Sequence, residues 1–174
     1  EAYRETGVFS MDLSKYGLLM TQMALKGEWR PLFDFIAERM NESLSLRDLI
    51  TGEKAVQTFL NVYLGLSDLF IVHSEKEMKN GYADLLLEAH TAKYPELETS
   101  YLVELKYVKA GIQPDDPKLP ALIEEAEKQL DAYSQDEKFK KSFNISFDQS
   151  TGKTKLVKLV LIFSGHKSIY IGRV

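Results

Sequence analysis

Three ionisable side chains stand inside apolar segments, where a charge needs a physical reason. Glu104 and Lys106 are two positions apart in residues 101–108, and Asp84 interrupts the apolar run of residues 82–88. Both segments are rich in strand-forming residues, and side chains two positions apart in a strand share a face. If the two strands are antiparallel neighbours, we expect Asp84 and Glu104 to converge on one side of the sheet.

Two carboxylates beside a lysine are suited to bind a hard divalent cation. Mg²⁺ prefers one or two carboxylates together with waters and phosphate oxygens of a substrate, and the backbone carbonyl of Leu105 is available as a further ligand. Lys106 would then orient or deprotonate an attacking water, or stabilise charge on phosphorus. The alternative is an exposed ion pair of Glu104 with Lys106 on a solvated face, with Asp84 exposed at a sheet edge. The spacing alone leaves both interpretations open.

The spacing of apolar residues predicts the elements that carry these side chains. Residues 11–50 are predicted to form short helices, and a stronger helix is predicted to open at Thr51 or Gly52 and to end at Gly65. The later elements are predicted as strands at residues 68–74, 82–88, 101–108, 156–163 and 167–171, with a helix at residues 121–134. This order predicts an α/β fold in which helices cover both faces of a mixed sheet.

The composition is that of a globular domain and excludes several kinds of site. Of the 174 residues, 44% are hydrophobic and 28% are charged, which argues against disorder. The absence of cysteine excludes disulfides, zinc–thiolate sites, iron–sulfur clusters and a cysteine nucleophile. No apolar run reaches the length of a membrane span and no signal peptide opens the sequence, so we expect a cytoplasmic protein without a membrane partner. Because the sequence starts at Glu1 rather than Met, we also expect a longer parent polypeptide.

The formal net charge of −4 is unevenly distributed along the sequence. Residues 138–174 contain eight Lys or Arg and a single acidic residue, Asp148, whereas the preceding residues are strongly acidic. A basic segment on an acidic domain is compatible with a polyanionic partner. It is equally compatible with a solvated face that the acidic residues elsewhere balance.

The residues Gly81-Tyr82-Ala83-Asp84, followed by Glu104-Leu105-Lys106, resemble the motif of the PD-(D/E)XK nuclease superfamily. The predicted order of elements is similar to the restriction-endonuclease-like αβββαβ core of that superfamily, over residues 52–174. More narrowly, the sequence resembles the C-terminal nuclease-like domain of bacterial proteins that carry an AAA-ATPase-like domain at the N-terminus. The sequence departs from that family in having Tyr82 where Arg is usual, and in lacking a proline before the acid.

The resemblance implies roles for six side chains and one carbonyl. Asp84 and Glu104, with the carbonyl of Leu105, would bind Mg²⁺ or Mn²⁺, and Lys106 would serve the attacking water and the transition state. Three further candidates are Glu53, Gln129 and Tyr133.

Each of these three candidates also has a purely structural interpretation. Glu53 would reach the metal-bound waters, or would simply be an acid well placed at a helix N-terminus. Gln129 and Tyr133 are four positions apart on one helical face. They would contact the scissile phosphate or support Lys106; alternatively, Tyr133 is a core residue and Gln129 lies at its rim.

The sequence therefore predicts a helical extension at residues 1–50 and a nuclease-like domain at residues 51–174. We expect a Mg²⁺-dependent nuclease that hydrolyses phosphodiester bonds in nucleic acid, with DNA favoured and the ATPase-like domain of the parent chain as a partner. One alternative is a non-catalytic nuclease-fold module that binds nucleic acid or a protein and is coupled to that ATPase-like domain. Another is that residues 1–50 form the working surface through an exposed Trp29 and Phe35.

Overall fold

The computed structural model describes residues 12–45, 52–74, 83–136, 139, 143, 145–146 and 154–174. In chain order the elements are α1 (Leu13–Lys26), α2 (Arg30–Ser45), α3 (Glu53–Leu64), β1 (Phe70–Ser74), β2 (Leu85–Ala89), β3 (Thr99–Val108), α4 (Leu119–Gln135), β4 (Ile145–Ser146), β5 (Thr154–Ser164) and β6 (Lys167–Arg173). The predicted order of helix, three strands, helix and strand is therefore present from α3 to β5.

Two long helices precede that core, where the sequence predicted short ones. The carboxylate of Asp12 caps α1 by accepting the backbone N–H of Lys15 at 2.9 Å. Gly27 ends α1 in a left-handed conformation with φ 72°, which glycine adopts without steric cost. The apolar residues of α2 face inward, and Phe35 is buried while Trp29 packs half-buried against the same core. The burial of Phe35 therefore gives no support to a working surface at residues 1–50.

In the part of the chain that the structure describes, the sheet is mixed and has six strands. The strand order is β1-β2-β3-β5-β4, and β6 pairs with β5 beside it. β1, β2 and β3 are antiparallel neighbours, whereas β3 and β5 run parallel over their whole length. Gly165 makes the turn between β5 and β6 with φ 63°, where the sequence predicted a turn. These pairings confirm the predicted mixed α/β fold.

The side chains of β3 divide between two hydrophobic clusters on opposite faces of the sheet. Tyr101, Val103 and Leu105 lie in a first cluster with residues of α1, α2 and α3. Leu102 lies in a second cluster with residues of α4. By the alternation of a strand, Glu104 and Lys106 project from the face that α4 covers. The central strand is thus covered on both sides, as the sequence predicted.

One strand begins later than the sequence predicted. β2 starts at Leu85, so Asp84 lies in a bend just before the strand rather than inside it. Aspartate is disfavoured in strands because its carboxylate competes for backbone N–H groups. In this protein the carboxylate of Asp84 binds a backbone N–H of the neighbouring strand, since its Oδ2 accepts the N–H of Leu105 at 2.7 Å.

Some predicted features lie outside the described residues. These are Tyr82 and most of the basic segment between residues 138 and 153. The predicted domain boundary at residues 50 and 51 also falls there and stays a prediction. None of the helices in the described part of the chain combines the length and apolar character that a membrane crossing needs.

Candidate active site

Asp84 is held at the end of the β2–β3 ladder by donors from two different elements. The last residue pair of that ladder is Leu85 with Val103, so one further step places Asp84 opposite Glu104. Asp84 Oδ2 accepts the backbone N–H of Leu105 at 2.7 Å, and its Oδ1 accepts the side-chain amide of Gln57 at 3.1 Å. The structure therefore brings Asp84 beside Glu104 and Lys106, at the point where β2 stops pairing.

Glu104 is a buried carboxylate with an ammonium group beside it. Its side chain is only 7% exposed, and its Oε1 lies 3.3 Å from Nζ of Lys106. Lys106 is itself mostly buried, with 18% of its side chain exposed. These values exclude the alternative of an ion pair on a solvated face. A carboxylate taken out of water costs several kcal/mol unless a cation compensates it, so this position is compatible with a functional role.

The helix α4 supplies two further contacts to Lys106. The Nζ of Lys106 lies 3.3 Å from Oε1 of Glu125. It also donates a hydrogen bond to Oε1 of Gln129, which lies four residues after Glu125. Burial by itself lowers the pKa of Lys106, but Glu104 and Glu125 more than offset it and raise that pKa above its ordinary value. Lys106 is therefore a fixed cation at neutral pH, held between one strand neighbour and one helix.

A short hydrogen-bonded chain links α3 to the same place. The amide Nε2 of Gln57 donates to Asp84 and also to Oε1 of Glu53 at 3.3 Å. Glu53 is exposed in the first turn of α3, where an acid is favourably placed. It contacts Gln57, which in turn contacts Asp84.

Tyr133 lies in a different environment from Gln129, although both are on α4. Tyr133 is half-buried and packs against the second hydrophobic cluster. The side chains that converge on Lys106 from α4 are those of Gln129 and Glu125. The packing of Tyr133 agrees with the structural interpretation of that residue as part of the core.

Sequence reasoning missed Gln57 and Glu125. Both had a weak signal, because Gln57 follows Glu53 by one helical turn and Glu125 precedes Gln129 by one turn. Polar residues on a helix are most often solvated, and only the packing of α3 and α4 against the sheet shows which of them reach the site.

The oxygen atoms present fit the donor set that a magnesium ion prefers. Each carboxylate oxygen of Asp84 accepts a hydrogen bond, and an ionised carboxylate has lone pairs for more than one partner at each oxygen. In an extended strand the N–H and C=O of one residue point to the same side, so the carbonyl of Leu105 points, like its N–H, toward Asp84. In the described part of the chain, no three His, Cys, Asp or Glu side chains come close enough together to hold a metal ion by themselves. A partial donor set of this kind leaves positions for waters and phosphate oxygens.

The charge around these residues also favours a cation. Asp84, Glu104, Glu53 and Glu125 contribute four carboxylates, and Lys106 contributes one ammonium group. With all of them ionised, the cluster has an excess of three negative charges, which would repel a polyanion and attract a divalent cation.

The comparisons with known proteins agree with this geometry. A family model described as the PD-(D/E)XK nuclease superfamily matches residues 51–172, well over half of the chain. The chain belongs to the PD-(D/E)XK nuclease superfamily. Its mixed sheet with flanking helices is the restriction-endonuclease-like fold of that superfamily. No curated protein and no solved structure matches the chain.

The match to the superfamily model covers both the acid before β2 and the Glu-x-Lys of β3. The matched region runs from the start of α3 to the end of β6, so it includes every residue that the structure gathers around Lys106. The superfamily generally consists of nucleases, which typically use divalent metals, and some of its members are inactive.

The contact between Glu125 and Lys106 makes a direct test possible. We expect Glu125→Gln to lower the pKa of Lys106, because the substitution removes one of the two carboxylates that stabilise the ammonium form. The measurement is an NMR titration of the Lys106 side chain in metal-free protein. Glu127→Gln, two residues further along α4, is the matched control and should leave that pKa unchanged. An unaltered Lys106 titration in Glu125→Gln would contradict the contact.

Proposed function

We propose that this protein is a nuclease that hydrolyses phosphodiester bonds of DNA with Mg²⁺ or Mn²⁺. The observation that carries the proposal is the buried Glu104 carboxylate, 3.3 Å from the Lys106 ammonium and next to an Asp84 that is fixed against the Leu105 N–H. Membership in the PD-(D/E)XK nuclease superfamily supports nuclease-type chemistry.

The metal would be held by Asp84, Glu104 and the carbonyl of Leu105. A divalent cation bound there supplies an acidified water and stabilises negative charge on the phosphate. Asp84 lies just before β2 and Glu104 lies in the adjacent β3, and their separate contacts fix both carboxylates before any ligand arrives. Such preorganisation matters because the site need not rearrange during the reaction.

Lys106 would act on the phosphate as a fixed hydrogen-bond donor. Its Nζ is directed by Glu104 on its own strand and by Gln129 on α4, and an ammonium group has three N–H donors. A phosphate oxygen or the attacking water would therefore replace one of the present contacts, most simply that with the largely exposed Glu125. Phosphodiester hydrolysis without a catalyst is extremely slow, so this electrostatic stabilisation has to be large.

The remaining candidates have supporting roles in this proposal. Gln129 holds Lys106 in place, and Glu53 would contact metal-bound waters from the start of α3. Tyr133 lies on α4 and packs against the second hydrophobic cluster, where it would hold the helix against the sheet. The ATPase-like partner domain of a bacterial parent chain is proposed from the sequence resemblance alone. The cytoplasmic location stays a prediction from the sequence.

A non-catalytic module is the competing function, and one observation favours it. Among the residues that the structure describes, four carboxylates lie around Lys106 and would repel nucleic acid in the absence of a cation, and Tyr82 stands where the related family has Arg. A degenerate nuclease fold that docks a protein partner would have the same appearance. The two functions differ in their response to metal.

Substitution of the first carboxylate distinguishes these functions. We expect the wild-type protein to bind Mn²⁺ and to cleave DNA in its presence but not in the presence of a chelator. Asp84→Asn should abolish cleavage and weaken Mn²⁺ binding by more than the roughly 10–100-fold that loss of a supporting residue causes. The measurements are Mn²⁺ titration by electron paramagnetic resonance and cleavage of labelled DNA, with matched RNA as the substrate control.

Asp115→Asn is the matched control variant, because Asp115 is exposed in the loop before α4. It should bind Mn²⁺ and cleave like the wild type. A folded wild-type protein that neither binds Mn²⁺ nor cleaves DNA or RNA would overturn the proposal in favour of the docking module.

A further inference from the structure

We infer that Gln57 is a positioning residue of the metal site, which fixes the carboxylate of Asp84 before the metal binds. This inference rests on the proposed function and adds to it a residue outside the nuclease motif. Its starting point is the position of Asp84 in the chain. Because β2 begins only at Leu85, the regular ladder of the sheet does not include the residue that carries the carboxylate.

Among the contacts that hold the side chain of Asp84 are hydrogen bonds from two different layers of the fold. One donor is the backbone N–H of Leu105 in β3, and the other is the side-chain amide of Gln57 in α3. The two bonds use different carboxylate oxygens, so together they restrict both the place and the rotation of the group. The bond from Gln57 is the one that a substitution can remove.

The chemistry of the amide agrees with this role. Gln57 lies between two acceptors, Oδ1 of Asp84 at 3.1 Å and Oε1 of Glu53 at 3.3 Å. Only the NH₂ end of a glutamine can face two carboxylates, and its two hydrogens provide one donor for each. The amide thus reduces the repulsion between two acids without introducing a charge that would compete with a cation.

Gln57 is fixed by the helix that carries it. Its neighbours Val56 and Leu60 are buried in the first hydrophobic cluster, so α3 is anchored on the sheet face opposite to α4. The metal site is therefore assembled from both faces, with Lys106 held by α4 and Asp84 held by α3. Residues that orient metal ligands in this way commonly affect metal affinity by roughly 10–100-fold.

The test replaces Gln57 by leucine, which has a similar size and no donor. We expect Gln57→Leu to bind Mn²⁺ about 10-fold more weakly than the wild type, with an unchanged melting temperature. Cleavage should fall at low Mn²⁺ and recover as the Mn²⁺ concentration is raised, since the variant keeps Asp84, Glu104 and Lys106. In metal-free protein, the side-chain carboxyl ¹³C resonance of Asp84 should shift, which a merely structural role would not cause.

Asn61→Leu is the matched control, because Asn61 is also a half-buried side-chain amide and lies one turn further along α3. It should leave the Mn²⁺ affinity and the Asp84 resonance unchanged. This inference would be overturned, and the proposed function kept, by one combined result. In that result the wild type binds Mn²⁺, Gln57→Leu binds it equally well, and the Asp84 resonance of the variant is unshifted. Absence of Mn²⁺ binding in the wild type would overturn the proposed function, and the role of Gln57 with it.

Discussion

Replacing Lys106 by methionine is expected to lower the rate of DNA cleavage by about 10³-fold while leaving Mn²⁺ binding nearly intact. The reason is that Lys106 contributes a positive charge and N–H donors to the reacting phosphate, but no oxygen ligand to the metal. Glu104→Gln should behave differently and lose both DNA cleavage and Mn²⁺ binding, because it removes a buried carboxylate that would bind the metal. The measurements are the single-turnover cleavage rate and the Mn²⁺ dissociation constant of each variant.

The matched control for this pair is Lys109→Met. Lys109 is three residues beyond Lys106 and is exposed at the end of β3, so the same change of side chain there should alter the rate by less than a few-fold. Glu98→Gln gives the corresponding control for Glu104, since Glu98 is exposed just before β3 begins. If Lys106→Met cleaved DNA at the wild-type rate, its assigned role would be wrong.

Replacing Tyr101 by alanine is expected to lower the free energy of unfolding by about 3–5 kcal/mol. Tyr101 is fully buried in the middle of β3 and packs edge-on against Phe70, with ring centroids 5.7 Å apart. Its hydroxyl donates a hydrogen bond to the carbonyl oxygen of Met23 at 2.9 Å, which ties α1 to the sheet. Tyr101→Phe removes only that bond and should cost about 1 kcal/mol. Urea denaturation followed by far-ultraviolet circular dichroism measures both effects.

Tyr107→Phe is the control for Tyr101→Phe, because Tyr107 is a half-buried tyrosine on the same strand. It should change the unfolding free energy by less than about 0.5 kcal/mol.

Burial raises the pKa of Tyr101 to about 12, against an ordinary value of about 10. Its hydroxyl therefore stays protonated at neutral pH, and its contribution to stability should disappear only as the pH rises from about 10 through 12. A Tyr101→Ala variant as stable as the wild type would show that α1 is not part of the same core.

The sequence predicted the fold well where local signals and burial agree. The alternation of β3 placed Leu102, Glu104 and Lys106 on one face and Val103 and Leu105 on the other, and the clusters agree with that division. Gly52 and Gly65 correctly predicted the limits of α3. The length of α2 was underestimated, because no strong helix breaker follows the apolar residues that predicted it.

The candidate site was predictable in its strand residues and much less so in its helix residues. A charge inside an apolar segment is costly to bury. The sequence shows such charges at Asp84, Glu104 and Lys106. Gln57 and Glu125 are polar residues on amphipathic helices, where exposure is the ordinary state. Their importance follows from how α3 and α4 pack on the two faces of the sheet, which no local pattern encodes.

The parallel pairing of β3 with β5 has a consequence for shortened versions of this protein. β3 obtains ten of its register partners from Thr154–Ser164, a segment roughly fifty residues later in the chain. A fragment that stops before Thr154 would leave β3 as an open edge with free backbone donors and acceptors, next to an uncovered apolar surface. Edges of this kind recruit other chains, so such fragments are expected to aggregate, and expression trials should retain the last two strands.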